Sequence, residues 1–235
     1  MDDESNGNEI AIEADERSYI VGRTRSGKST LARYLLRSPR RLVACDPKRS
    51  LGDWKLESWN RETREALLEG RDVRVRVTPE PGAKPEEFWE TILRTVFNAG
   101  DCIVFIDEVY LLTESESPTG YPPALRDIWT GGGEQGIGAF AISQRPRFIP
   151  KYLISEAEHF FVFRLLLEAD REYVADFTHP RLEQKIPLEH KHGFWYMSIF
   201  DDEPVYIPQL ETGHGEGWGQ VMELEPAEEA EESAE

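Results

Sequence analysis

The chain has 235 residues and a formal net charge of −18, which suits one α/β domain with modest decoration and leaves little room for two full domains. Its apolar share of 39% is ordinary for a globular protein, and no run approaches the ~18 consecutive apolar residues that a membrane-spanning helix needs. The start, Met1-Asp2-Asp3-Glu4-Ser5, lacks the basic head and apolar core of a secretory signal, so the chain is not expected to be secreted.

The charge is uneven. Residues 211–235 hold nine glutamates and no Lys or Arg, and Asp2, Asp3, Glu4 and Glu9 load the opposite end. Segments 1–10 and 211–235 therefore read as a flexible acidic arm and a disordered acidic tail, flanking a mildly acidic domain over 11–210. Cys45 and Cys102 each sit in an apolar stretch, which fits reduced, buried thiols better than a disulfide or a metal site.

Between the acidic ends, short apolar strands alternate with amphipathic helices, the pattern of a mostly parallel sheet flanked by helices. Ser18–Val21 reads as a first strand ending at Gly22. A helix opens near Gly27, runs through Leu36 and is stopped by Pro39. Arg41–Cys45 reads as a second strand leading into Asp46-Pro47-Lys48, and Asp72–Val77 alternates Arg and Val as a half-exposed strand. Pro85–Asn98 has helical spacing with acidic residues in its first turn. Asp101–Ile106 is a continuous apolar strand of the kind buried on both faces. A short helix over Pro123–Trp129 ends at Gly131-Gly132-Gly133. Strands over Gly138–Ser143 and His159–Leu167, a helix over Asp170–Phe177, and a hairpin of Phe194–Phe200 with Val205–Ile207 complete the series.

Three strand ends carry chemistry. Gly22-Arg23-Thr24-Arg25-Ser26-Gly27-Lys28-Ser29, followed by Thr30, matches the phosphate-binding loop G-x-x-x-x-G-K-[ST] in full and lies between a strand and a helix. Its glycines let backbone N–H groups wrap around phosphate oxygens, and the helix adds its positive dipole end. The motif assigns Lys28 to the β- and γ-phosphates of ATP and the Ser29 hydroxyl to Mg²⁺. At the end of the strand Ile103–Ile106, Asp107 is positioned to hold the Mg²⁺ shell and Glu108 to deprotonate the attacking water. Gln144, at the end of the strand Gly138–Ser143, is placed to sense the γ-phosphate or the lytic water.

Taken together, the loop at Gly22–Ser29, Asp46-Pro47-Lys48, Asp107-Glu108 and Ser143-Gln144-Arg145-Pro146 resemble the FtsK–HerA superfamily of P-loop ATPases. Within it the chain looks like a viral genome-packaging ATPase, on its short length, Ile149-Pro150, and Phe163-Arg164-Leu165 followed by Asp170-Arg171. The resemblance covers roughly residues 16–178. It implies a RecA-like α/β P-loop NTPase of the additional-strand type. It further implies a homo-oligomeric ring that hydrolyses ATP and drives double-stranded DNA, without sequence preference, into a preformed capsid. Capsid or portal vertex proteins would be further partners, and the setting would be the host cytoplasm or the packaging vertex of the virion.

Adjacent subunits of such a ring share each ATP site through an arginine acting in trans. Relatives often carry that arginine in the turn before the sensor strand, where this chain has Gly131-Gly132-Gly133-Glu134-Gln135-Gly136. Arg126, Arg145, Arg147, Arg164 and Arg171 are the alternatives, with Arg145 and Arg147 favoured for their closeness to Gln144. No DNA-binding surface stands out: Arg33, Arg37, Arg40 and Arg41 form the densest basic stretch, and Arg71, Arg74 and Arg76 read best as the solvated side of a strand. Two other tasks fit the same motifs. One is a DNA pump for conjugation, segregation or repair; the other is a nucleotide-gated assembly factor, which has less need of the base Glu108.

Overall fold

The computed structural model describes residues 10–115 and 120–208; the expected tail, and all of the expected arm except Ile10, lie outside them. Among the described residues nine strands form one sheet: β1 (Arg17–Val21), β2 (Arg41–Cys45), β3 (Glu57–Ser58), β4 (Val73–Val77), β5 (Ile103–Ile106), β6 (Gly138–Ser143), β7 (His159–Phe163), β8 (Phe194–Ser198) and β9 (Val205–Ile207). Their order is β3-β4-β2-β5-β6-β1-β7-β8-β9. Every pair from β3 to β7 is parallel, and β8 and β9 complete the edge as an antiparallel hairpin. β6 is inserted between the phosphate-loop strand β1 and the Asp-Glu strand β5, which is the additional-strand arrangement of a P-loop NTPase.

The central strands are apolar at nearly every position because both faces are covered. Tyr19, Val21, Val43, Val104, Ile106 and Ala141 point into one core, where they meet helices α2 (Arg61–Leu68), α3 (Pro85–Ala99), α4 (Pro123–Gly131) and α6 (Glu168–Ala175). The intervening residues, among them Ile20, Leu42, Phe105 and Phe161, form the other core beneath α1 (Lys28–Leu35). Ile10 belongs to this second core and is buried.

Several element ends differ from expectation for local reasons. The strand expected to reach Leu167 stops at Phe163, where its partner β1 gives way to the phosphate loop; Leu166 and Leu167 lie exposed before α6. β5 starts at Ile103 because Gly100 and Asp101, both at positive φ, still belong to the turn. The hairpin strand ends at Ser198, whose N–H is accepted by the Asp201 carboxylate. α2 and β3 were not among the predicted elements. α2 buries only Thr63, Ala66 and Leu67, too few for a clear helical period, and it starts on a reciprocal cap: Asn60 accepts from the Thr63 N–H while the Thr63 hydroxyl accepts from the Asn60 N–H. A single turn, α5 (Tyr152–Ser155), also went unpredicted.

Phe105, on the strand that carries Asp107, is wholly buried and stacked on Trp54 at 5.2 Å between ring centroids. Phe105→Ala is expected to destabilise the fold by about 3–5 kcal/mol, the usual range for emptying a buried aromatic site, read as a lowered midpoint in urea with an unchanged slope.

Candidate functional site

The carboxyl ends of β1, β2, β5 and β6 gather the chemically active residues at one edge of the sheet. From β1 the chain enters the loop Gly22–Gly27, which needs glycine at two points. Gly22 (φ +154°) lies so close to β7 that an added Cβ would sit 2.5 Å from the Phe163 Cβ; Gly27 (φ +111°) packs against the Phe163 ring and His192. The Arg23 N–H donates to the Arg164 carbonyl at 3.1 Å, pinning the loop to the end of β7. Gly27 caps α1 without any side-chain hydrogen bond, so the first N–H groups of the helix face the loop's concavity with no protein side chain competing for them.

Lys28 is buried and donates to the Gly22 carbonyl at 2.7 Å and the Arg23 carbonyl at 2.9 Å. Burial lowers its pKa to about 8; Glu108 and Asp107 oppose that shift, and Lys48 adds to it. The Ser26 hydroxyl is buried beside it without a hydrogen-bond partner. Ser29 and Thr30, in the first turn of α1, are exposed.

Asp107 and Glu108 leave β5 buried, at 4% and 3% exposure. Burial raises the Asp107 pKa; the Ser50 hydroxyl, donating to Oδ2 at 2.5 Å, works the other way, and the Glu108 charge reinforces the rise. Glu108 takes a left-handed backbone conformation (φ +66°), a cost of about 1–3 kcal/mol that non-glycine residues accept mainly where the site requires it. The chain turns there into a 3-10 turn, Val109–Leu112, whose Val109 and Leu112 are buried.

Gln144, just past β6, connects the two motifs. Its Nε2 donates to Glu108 Oε1, and its Oε1 accepts from the Thr24 hydroxyl in the phosphate loop. The structure thus brings Thr24, Lys28, Asp107, Glu108 and Gln144 into one connected cluster. It also adds residues to which the motifs assign no role. Lys48 lies 3.0 Å from Glu108 Oε1. It stands on the turn after β2, where Asp46 accepts from the backbone N–H groups of Ser50 (2.7 Å) and Leu51 (3.0 Å). Asp46 is therefore an anchor, and the turn it fixes delivers Lys48 and Ser50 to the two carboxylates. The spacing of Asp46 to Ser50 is the available sequence signal, an aspartate capping the turn that follows it.

A cleft of about 690 Å³ opens beside Gly27, between Thr30 and Leu31 on one side and His190, Lys191 and His192 on the other. His192 reaches the Ser26 carbonyl through Nδ1 at 3.3 Å, so the loop before β8 forms one wall of the phosphate-loop site. No sequence motif marks this region as part of the site.

The arginines divide sharply. Arg171 donates to the carbonyls of Glu183 and Leu166, Arg41 to those of Asp101 and Leu67, and Arg74 to those of Leu36 and Pro39. Arg33 pairs with Asp53. Arg74 was expected on a solvated strand face and instead closes the end of α1. Arg164 is buried, and Arg126 is exposed on α4. Arg145 and Arg147 are exposed next to Gln144; Arg145 lies over the rings of Tyr110 (5.5 Å) and Phe148 (5.7 Å), and Arg147 acts electrostatically on Asp170.

No protein-family model matches the chain. The DNA packaging ATPase P9 of Enterobacteria phage PRD1 is 30% identical over 93 residues, which span 40% of this chain and 38% of the phage protein. The genome packaging NTPase B204 of Sulfolobus turreted icosahedral virus 2, solved with AMPPCP, superposes with a TM-score of 0.67 at 15% identity, covering 85% of this chain and 100% of that one. VirB4 of Thermoanaerobacter pseudethanolicus gives 0.57 at 10% identity, over 81% and 88%. The chain has the P-loop NTPase fold of these structures, and over those 93 residues its sequence resembles a phage packaging ATPase.

The contact of Gly22 with Phe163 can be checked directly. Gly22→Ala is expected to lose more stability than Gly70→Ala. Both positions carry positive φ, but a Cβ at Gly70 meets nothing within 4 Å, so only the backbone term, about 1 kcal/mol, applies there. Equal losses in thermal unfolding would mean that the loop is free to move away from β7.

Proposed function

We propose that this chain is an ATP-hydrolysing motor that works as a homo-oligomeric ring, translocates double-stranded DNA and packages a viral genome into a preformed capsid. The observation that carries the reading is the chain of contacts Thr24–Gln144–Glu108. It ties a complete phosphate loop to a buried carboxylate base, which a protein that only binds nucleotide does not need.

The residues fit an Mg²⁺–ATP ligand. Two buried polar atoms, Ser26 Oγ and Glu108 Oε2, lack partners, and the Lys28 ammonium rests on loop carbonyls that are weaker partners than phosphate oxygens. In this reading the backbone of Gly22–Thr30 cradles the phosphates, Lys28 contacts the β- and γ-groups, and the nucleoside lies in the cleft against His192. Ser29 and Asp107 would hold Mg²⁺, whose charge offsets the negative charge that develops on the phosphate oxygens. Glu108 Oε2 takes a proton from water as the water oxygen attacks the γ-phosphorus, and the bond from that phosphorus to the β–γ bridging oxygen breaks, releasing ADP and phosphate. Gln144 reports the state of the loop to Glu108. Arg145 and Arg147 are the candidates for completing a neighbouring subunit's site. The phage and archaeal-virus relatives favour DNA packaging over other uses of the fold, and capsid or portal vertex proteins would then be partners.

The test is steady-state ATP hydrolysis with and without double-stranded DNA of arbitrary sequence. DNA is expected to stimulate the rate, and Glu108→Gln to lower it by about 10²–10⁴-fold, the range for loss of a general base. Nucleotide binding without hydrolysis, whatever the DNA or salt, would instead leave a nucleotide-gated assembly factor.

A pH dependence follows from Lys28. With its pKa lowered to about 8 in the free protein, the side chain is charged in both free and bound states below that pH, and affinity is flat. Above it, binding must first protonate Lys28, so affinity for a fluorescent ATP analogue is expected to fall by up to about tenfold per pH unit. A Lys28→Arg variant, charged throughout, should lose that slope.

A further inference from the structure

Glu108 presents its two oxygens unequally. Oε1 receives both Lys48 Nζ, at 3.0 Å, and Gln144 Nε2, whereas Oε2 is buried and has no partner. Gln144 is held in turn by Thr24. Lys48 comes from a different strand end, and its side chain is 31% exposed, enough for a flexible four-carbon stem to leave the ion pair if nothing else restrained it. The restraint is an aromatic ring: Tyr110 lies beneath Lys48 Nζ at 5.7 Å from its centroid, and Arg145 Cζ lies 5.5 Å from the same centroid. A single ring attracts both cations. Their mutual repulsion is reduced because Lys48 is already paired with Glu108.

We propose that Lys48 and Tyr110 form a positioning pair for Glu108: the ring holds the ammonium, the ammonium fixes Oε1, and the carboxylate is thereby oriented with the unpartnered Oε2 left to accept from the attacking water. The pair rests on the reading of Glu108 as the base. It deepens that reading by adding two residues whose effect on the reaction runs through the carboxylate. Arg145 is drawn by the same ring toward its own chain's site.

The assay uses the full chain with double-stranded DNA, measuring ATP hydrolysis in steady state and single turnover, and nucleotide affinity by fluorescence titration. Lys48→Met is expected to lower kcat by about tenfold or more while the nucleotide Kd stays within about twofold, since the pair acts on orientation and not on binding. Lys48→Arg should recover most of the rate. Tyr110→Leu should lose part of it, and Tyr110→Phe, which keeps the ring, should restore that part. The decisive comparison is the double variant: combined with Glu108→Gln, Lys48→Met should cost nothing further, because its effect runs through the carboxylate. An additive loss, or a Lys48→Met rate equal to or above that of the unmodified chain, overturns the proposal. If Lys48→Met does not fold, the Tyr110→Leu and Glu108→Gln cycle asks the same question. Should Glu108→Gln itself hydrolyse ATP at the normal rate, the functional reading is what fails, and the positioning pair falls with it.

Discussion

A carboxylate buried to 3% exposure is the feature around which the site is organised. Leaving Glu108 charged and unpaired at that depth would cost several kcal/mol, so its neighbours must supply hydrogen bonds and an opposite charge. No single element provides them. Gln144 comes from the end of β6 and Lys48 from the turn after β2, while Glu108 itself ends β5. These three strands are adjacent, and their register puts Cys45 opposite Ile106 and Ile106 opposite Ala141. A shift of one residue in either pairing would move one partner to the other face of the sheet and strand the charge. The buried apolar strands thus fix the register, and the register sets the electrostatics of the site.

The same dependence links the phosphate loop to the rest of the fold. Thr24 reaches Gln144 only because the loop is held down by Phe163 on β7 and by the Arg23–Arg164 backbone hydrogen bond. The antiparallel hairpin extends this support: β8 pairs with β7, and the loop before β8 brings His192 to the Ser26 carbonyl. The carboxyl-terminal strands of the described domain therefore serve the site as well as closing the sheet edge.

Much of this was legible in the sequence, and the reasons for the gaps are physical. Parallel strands buried on both faces produce unbroken apolar runs, so β1, β2, β5 and β6 could be read directly with their motifs attached. α2 could not, because a helix burying one short stripe has little periodicity; its clearest mark is the Asn60–Thr63 cap. Lys28, Asp107, Glu108 and Gln144 stood out because their spacing within local motifs is diagnostic. Lys48, Ser50 and His192 act across strands, and the pairing that brings them to the site depends on sheet order, which spacing along the chain does not encode. Tyr110 was hidden for another reason: two residues beyond Glu108, it reads as one more apolar residue in a hydrophobic run.

Charge shows the limit of composition most clearly. A net charge of −18 suggests a protein poorly suited to polyanions, yet cations are concentrated where an anion is needed. Arg33 is paired with the Asp53 carboxylate, and Arg41, Arg74 and Arg171 are tied to backbone carbonyls away from the phosphate loop. Around the phosphate loop the balance is different. The Lys28 ammonium hydrogen-bonds to carbonyl oxygens, and Arg23, Arg25 and Arg145 are exposed. Burial lowers the Lys28 pKa to about 8 against the pull of Glu108 and Asp107, so this desolvated ammonium is held under electrostatic tension. A bound polyphosphate relieves that tension, and the more so because the site lies at the low-dielectric edge of the sheet, where each charge counts for more than it would in water. The affinity of this edge for an anion is thus set locally, by which cations the fold leaves without strong partners.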